Sequence, residues 1–319
     1  MKAALFRRTG PAREVFRIDE VLAPSPAAGE VRVRVHASGV NPSDTYTRSG
    51  RTKRPWSYPF IVPHSDGAGV IEAVGEGVPR ARIGERVWIH NGQWMRQLGT
   101  AAEYICIASE LANPLPDSVS FAEGACLGIP ALTAYFAVTL EGSVQGQKVL
   151  VQGGAGAVGH YAVQIAKLKG AHVIATVSSD AKAAHARAAG ADEVINYRTQ
   201  KVEASVDRVL EVNLSANAAV DAAVLKPNGS VVVYGSDEDV APVLARASIV
   251  KAIAYRFFLV YEMPLAQRQA AIAELTGWME QGKLKHTVAE RFALTDIAAA
   301  HEAVEARRVI GNVVLEVIT

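Results

Sequence analysis

The sequence predicts an α/β protein in two parts: a compact, barrel-like β domain and a domain built on a doubly wound parallel sheet. Three observations carry this. Up to about residue 120, short runs of alternating apolar and polar side chains are separated by Gly and Pro turns, the pattern of a small β barrel. Beyond it, apolar strands alternate with amphipathic helices, which reads as right-handed βαβ units. A glycine-rich turn also stands directly between one of those strands and its helix. A chain of 319 residues that is 50% hydrophobic can bury two cores. The expected boundaries are 1–122 with 263–319 for the β domain and 123–262 for the parallel-sheet domain.

Each element follows from its local pattern. In "EVRVRVH", Val31, Val33 and Val35 fall on one face and Arg32, Arg34 and His36 on the other, a half-buried strand. "AGVIEAVGEG", "ERVWIH" and "AAEYICI" continue the β domain. A helical stretch is expected over "FAEGACLGIPALTAYFAV", then a buried strand "KVLVQG", the glycine turn, and the helix "AVGHYAVQIAKLKG", where Val158, Ala162 and Ile165 recur at helical spacing. "HVIATV", "EVINY", "DRVLEV" and "SVVVYG" are further strands, separated by the helices "AKAAHARAAGA" and "ANAAVDAAVLKPNG". "RFFLVY", residues 256 to 261, is expected as an apolar strand. After residue 262 come a helix around "LAQRQAAIAELTGWMEQG", the segment "HTVAERFAL", the helix "TDIAAAHEAVEARRV" and a closing strand "NVVLEV", a tail that reads as a return to the first domain.

Composition narrows the function. Lys plus Arg total 33 against 32 Asp plus Glu, so a net charge of +1 gives no field toward nucleic acid or an anionic membrane. The one basic cluster, Arg48, Arg51, Lys53 and Arg54, reads as a solvated loop. Cys106 and Cys126 are too few for a disulfide framework or a thiolate zinc cluster and read as core thiols. No apolar run approaches the roughly 20 residues of a membrane span, and "MKAALFRRTG" carries no signal-peptide run, so a cytoplasmic location is expected.

"VLVQGGAGAVGHYAVQ" sets Gly154, Gly156 and Gly159 in G-x-G-x-x-G spacing after a strand. Glycine there permits the tight turn and lets the backbone approach a pyrophosphate. The opening of the helix at Ala157 and Val158 then offers unpaired N–H groups and the positive end of a dipole to the anion. The next strand ends in "TVSSDAK", with Ser178 and Ser179 where an NAD enzyme usually presents an acid, and Lys182 within reach of a 2′-phosphate. NADPH is therefore the expected cofactor, with Asp180 turned to solvent and Tyr197 and Arg198 flanking the adenine. Tyr234, Gly235 and Ser236 end "SVVVYG", where backbone groups would fix the carboxamide.

No metal is expected. Neither H-x-x-x-H nor C-x-x-C occurs, and His64, Asp66 and Asp44 offer only a poor carboxylate-rich alternative. Without a Lewis acid there is nothing to stabilise an alkoxide, which turns the reading from alcohol oxidation to hydride delivery onto a flat electrophile. Asn41 is expected as a donor to a carbonyl oxygen, Tyr46 as a donor and proton source, and Asp44 as an organiser of the loop, although "NPSD" is also an ordinary turn sequence. Arg48 is expected to support an anionic product, and Trp94 either to pack on the acceptor or to anchor its loop.

These features together resemble the medium-chain dehydrogenase/reductase superfamily over essentially the whole chain. "GVNPSDTYTRSG", "SDGAGVIEAVGEGV", "GIPALTAYFAV" and "GADEVINYR" are similar to the zinc-independent quinone oxidoreductases of the ζ-crystallin type. The resemblance implies a GroES-like catalytic domain, a Rossmann nucleotide domain and an active site in the cleft between them. It implies that Asn41 stands where zinc-bearing relatives have a cysteine and Ser65 where they have a histidine, with His64 in place of a glycine and lining the cleft mouth. It also implies that Thr133 faces the nicotinamide, that Phe258 in "RFFLVY" touches the cofactor, and that the chain forms a homodimer or homotetramer, with sheet extension through "RFFLVY" against the alternative of an ordinary buried strand. The expected activity is NADPH-dependent reduction of a quinone, by direct hydride or stepwise electron delivery, without metal or flavin. The alternatives are reduction of an activated carbon–carbon double bond in an enone or alkenal, with Tyr46 or water protonating the α-carbon, and a structural or RNA-binding role of the kind some ζ-crystallin-type proteins have.

Overall fold

The computed structural model describes residues 1–53 and 56–318. Two compact units form, Met1–Ile129 with Ile272–Thr319, and Pro130–Ala271.

The first unit opens with a two-stranded antiparallel sheet, β1 (Lys2–Leu5) and β2 (Arg17–Glu20), bracketing the short α1 (Ala12–Val15). Its principal strand is β3 (Glu30–Val40), followed by α2 (Pro42–Ser49), β4 (Asp66–Val74), β5 (Arg86–Ile89), β6 (Tyr104–Ala108), β7 (Ala112–Pro114) and α3 (Phe121–Gly124). The second unit runs α4 (Leu132–Thr139), β8 (Lys148–Val151), α5 (Ala157–Leu168), β9 (His172–Val177), α6 (Asp180–Ala188), β10 (Glu193–Asn196), β11 (Val206–Glu211), α7 (Leu214–Val224), β12 (Leu225–Val233), α8 (Ala245–Lys251) and β13 (Ala254–Phe257). Helix α9 (Leu265–Glu280) carries the chain back, and β14 (Val288–Ala293), α10 (Ile297–Glu305) and β15 (Asn312–Glu316) complete the first unit.

β3 explains the barrel-like sheet. Its first half pairs β6, its second half pairs β15, and β4 follows it along most of its length, with register shifts at Arg32/Val33 and Val35/Ala37 that bend the ribbon. Val31, Val33 and Val35 point inward against Ile71, Val87, Ile89, Ile105 and Ile107, and each buried valine contributes on the order of 1.5–3 kcal/mol. The returning tail closes a second core in which Ile297 and Leu315 meet Leu5, Phe6, Phe16 and Ile61. Both cysteines are buried free thiols.

The stretch 121–138 is not one helix. α3 stops at Gly124, a single π turn covers Leu127–Ala131, and α4 begins at Leu132. Pro130 has no N–H to donate, and the N–H of Ile129 is taken by the Asp66 carboxyl group at 2.9 and 2.8 Å. Helical bonding cannot continue through either residue.

The second unit holds a six-stranded, all-parallel sheet in the order β10-β9-β8-β11-β12-β13. Strand order reverses between β8 and β11, the switch point outside which ligands of open α/β sheets bind. The apolar run 256–261 departs from its expected strand. β13 ends at Phe257, opposite Val233, the last residue of β12, and Val260–Glu262 is a turn of 3₁₀ helix.

Candidate active site

The glycine turn follows β8 at the switch point. Gly153 adopts φ +69°, and a Cβ on Gly159 would lie 2.2 Å from the Gly153 carbonyl oxygen, so the start of α5 can cross the end of β8 only with glycine there. A Cβ on Gly154 would meet that of Ala175 at 2.7 Å. Gly156 is different: its Cβ would find only Gly153 O, at 3.4 Å, so its surroundings inside the protein do not require glycine. It is the N-cap of the twelve-residue α5 and provides no side-chain acceptor, so the N–H groups of Ala157, Val158 and Gly159 face a position that an anion oxygen fits.

Beside this turn, β9 and β10 end in register, with Asn196 opposite Val177, and Tyr197 N–H donates to Val177 O at 3.1 Å. This sets Tyr197 and Arg198 next to Ser178. Ser179 caps α6, accepting from the N–H of Lys182 at 3.3 Å. Asp180 is exposed, as a phosphate neighbour requires, and Tyr197 is 53% exposed. The end of β12 brings Gly235 so close to Val212 that a Cβ would lie 2.2 Å from its carbonyl oxygen. The Tyr234 hydroxyl is buried and its pKa is pushed up by burial. Ser236 donates to Glu238 O at 2.8 Å. Phe258 packs edge-on against Phe136 at 6.4 Å, and Thr133 is buried in the first turn of α4.

In the first unit, Asn41, Asp44 and Asp66 form one buried cluster. Asp44, at the third position of α2, accepts from Asn41 N–H at 2.8 Å, half of a capping box. Asn41 Nδ2 donates to Asp66 Oδ2 at 2.8 Å, and Ile129 N–H completes the grip on that carboxyl group. Burial raises the Asp44 pKa to about 7, and burial with the Asp44 charge holds Asp66 well above the ordinary range. Burial thus favours the neutral form of both carboxyl groups beside the Asn41 amide. Tyr46 stands one turn along α2, half-buried under the Arg51 guanidinium, which lies 4.3 Å from the ring centre. Trp94 sits half-buried in the 90–100 loop, its backbone N–H donating to Asn91 O at 3.2 Å.

Two expected ligand contacts are corrected. Arg48 is 2% exposed, ion-paired to Glu305 and bonded to Gly10 O; it ties α2 to α10 and offers nothing to a product anion. Of the supposed basic loop, Arg54 lies outside the described residues. His64 is fully buried and lines no opening. Its Nδ1 lies 2.8 Å from Ser38 Oγ and its Nε2 2.9 Å from His301 Nε2. Ser38 Oγ lies 2.7 Å from Thr100 Oγ1, which donates to Asp66 O at 2.5 Å. That carbonyl can only accept, which fixes every proton in the chain: Ser38 donates to Thr100, His64 Nδ1 donates to Ser38, and His301 donates to His64 Nε2. Both imidazoles are neutral, and burial lowers both pKa values, that of His64 to about 3.

With both His64 nitrogens and the Asp66 carboxyl engaged in this way, the residues do not fit a zinc site. Among the described residues no three His, Cys, Asp or Glu are grouped to hold a metal ion. Sequence reasoning weighed Asp66 only as a metal ligand and missed it as the hub that holds Asn41 and breaks the 121–138 helix. His301 and Glu305 were also missed, because they look like ordinary polar positions of an amphipathic helix.

Comparison with known proteins places this geometry. Residues 27–117 match the family described as Alcohol dehydrogenase GroES-like domain, and residues 189–315 match Zinc-binding dehydrogenase. The quinone oxidoreductase of Homo sapiens is 33% identical over 309 residues, covering 93% of this chain and 92% of that protein. The quinone oxidoreductase of Pseudomonas aeruginosa is 32% identical over 95% of both chains. Among solved structures, Escherichia coli quinone oxidoreductase complexed with NADPH superposes with a TM-score of 0.89 at 28% identity, covering 99% of this chain and 100% of that one. An NAD-dependent alcohol dehydrogenase superposes with a TM-score of 0.90 at 29% identity, covering 100% of both.

Proposed function

The chain belongs to the quinone oxidoreductase family of the medium-chain dehydrogenases and reductases, and from that membership we propose that it oxidises NADPH and passes the reducing equivalents to a quinone. The observation that carries the proposal is the N-terminus of α5, which opens on Gly156 without a side-chain cap at the switch point of the parallel sheet. The residues present fit NADPH. Gly154, Gly156, Ala157, Val158 and Gly159 would hold the pyrophosphate on backbone N–H groups. Ser178, Lys182, Tyr197 and Arg198 would hold the 2′-phosphate and adenine, and the backbone at Tyr234, Gly235 and Ser236 the carboxamide, with Thr133 and Phe258 as expected neighbours of the ring.

Bound NADPH supplies a hydride, two electrons, from nicotinamide C4; with two protons, the hydride's own and one from the protein or solvent, a quinone becomes a hydroquinone. The protein's part is to orient the acceptor and manage the proton. In this reading Asn41 donates to a quinone oxygen, Asp44 and Asp66 hold that amide in place, and Tyr46 delivers the proton. Trp94 supplies a flat apolar surface. A second copy of the chain would add its edge to β13, which pairs only β12 among the described strands.

The 2′-phosphate pocket is tested by titrating NADPH and NADH into the wild type and Lys182→Ala. Losing one charge-assisted contact at a partly exposed site weakens NADPH binding about tenfold and leaves NADH unchanged. Equal affinities for NADPH and NADH, before and after the substitution, would refute the pocket.

A further inference from the structure

Below the glycine turn lies a pair of acids that the proposed reaction does not use. Glu211, the last residue of β11, and Asp221, in α7, are both fully buried, and each acts directly on the ionisation of the other. Glu211 Oε1 accepts from Asn213 N–H and from Asn217 Nδ2 at 3.0 Å. Asp221 Oδ1 accepts from Gln152 Nε2 at 3.0 Å. The other two oxygens, Glu211 Oε2 and Asp221 Oδ2, are buried and have no other partner among the described residues. Two ionised carboxylates cannot share such a space; one retains its proton and donates to the other.

A directed chain of bonds connects this pair to the turn. Gly153 N–H donates to Thr176 Oγ1 at 3.1 Å, Thr176 donates to Gln152 Oε1 at 2.6 Å, and Gln152 donates to Asp221. Every donor points toward Asp221, the arrangement a single negative charge there stabilises and a neutral acid would not. Gly154 N–H donates to Thr176 O at 3.0 Å, so a shift of Thr176 moves two successive residues of the turn. On the far side lies Val212, which a Cβ on Gly153 would meet at 3.4 Å and one on Gly235 at 2.2 Å. The pair thus fixes the ends of β8, β9 and β11 from beneath the place where the dinucleotide is read to bind.

We propose that Glu211 and Asp221 hold one proton between them and that this singly charged pair positions the glycine turn, making both acids positioning residues for the dinucleotide; the proposal rests on the reading of that turn as the dinucleotide site. The groups that face the pair are Gln152 just after β8, Thr176 from β9, Tyr234 just after β12, Asn213 and Asn217, with Asp237 one bond further away on Asn213. None carries a positive charge that would offset a second negative one. Burial, reinforced by the Asp221 charge, pushes Glu211 up to about 9, so the proton leaves only in alkaline solution.

The test is fluorescence titration of NADPH into the full chain from pH 7 to about pH 10, for the wild type and Glu211→Gln, whose amide N–H₂ donates to Asp221 as the carboxylic acid does. Wild-type Kd rises about tenfold across that range, while the Glu211→Gln profile is flatter by that factor. Every other titratable group is common to both proteins, so the comparison isolates the pair. Asp221→Asn repeats the test from the other side, should Glu211→Gln not fold. Coincident profiles with normal binding at pH 7 overturn the proposal. Absence of NADPH binding by the folded wild type at pH 7 overturns instead the reading of the turn.

Discussion

At the scale of single residues, His64 shows how a strained backbone is retained. Its φ of +76° lies in the left-handed region, which disfavours a side chain by roughly 1–2 kcal/mol. The bonds to Ser38 and His301 offset that strain, since losing His64 leaves the buried His301 N–H unmet and removes the donor to Ser38 Oγ. His64→Gly relieves the strain yet is expected to destabilise the chain by about 1–3 kcal/mol in urea unfolding at neutral pH; a variant more stable than wild type would contradict this. The same pair has a pH signature. Both imidazoles are depressed in the folded state, so the unfolded chain takes up protons first once the pH falls below about 6.5. The stability the pair contributes is present above that value and is lost as the pH drops toward about 3, where His64 itself titrates. Two imidazole signals that stay neutral at pH 5 by NMR are the corresponding observation.

At the scale of elements, the glycine turn separates packing from binding. Gly159 has no room for a Cβ, whereas Gly156 has room and an ordinary φ of −78°. Gly156→Ala is therefore expected to fold with a melting temperature close to wild type, while its methyl group blocks the approach of a pyrophosphate and weakens NADPH about tenfold or more. A loss of stability comparable to that of Gly159→Ala would show that Gly156 is structural. The edge strand β13 makes a different prediction. It ends on Phe257, 60% exposed, and follows α8, whose Ile249 and Val250 are 78% and 77% exposed. If a second copy pairs there, Phe257→Glu lowers the sedimentation mass to that of a monomer without changing the circular dichroism spectrum; an unchanged mass places the interface elsewhere.

At the scale of the whole molecule, the sequence was legible wherever structure is set by neighbours along the chain. Alternation marked β3, and a strand, three glycines and an amphipathic helix marked the switch point. What stayed hidden depends on distant partners. The apolar pattern through 121–138 is continuous; Pro130 can be read in it, but the bond from Ile129 to Asp66, 63 residues away, that joins Pro130 in breaking the helix cannot. Arg48 read as a ligand contact because Glu305 lies 257 residues on, and His64 as an open position because His301 lies 237 residues on. The Glu211–Asp221 pair was invisible for the same reason: each looks like the polar end of an apolar run until the fold turns them toward each other.

In the proposed reaction the chain moves reducing equivalents from NADPH to a quinone. That transfer is tested most directly by following NADPH absorbance with 1,4-benzoquinone and, separately, with an enone such as cyclohex-2-enone under the same conditions. NADPH consumption with the quinone, one hydroquinone formed per NADPH, and little turnover with the enone are the expected results. NADPH consumption with the enone alone would contradict the proposed reaction.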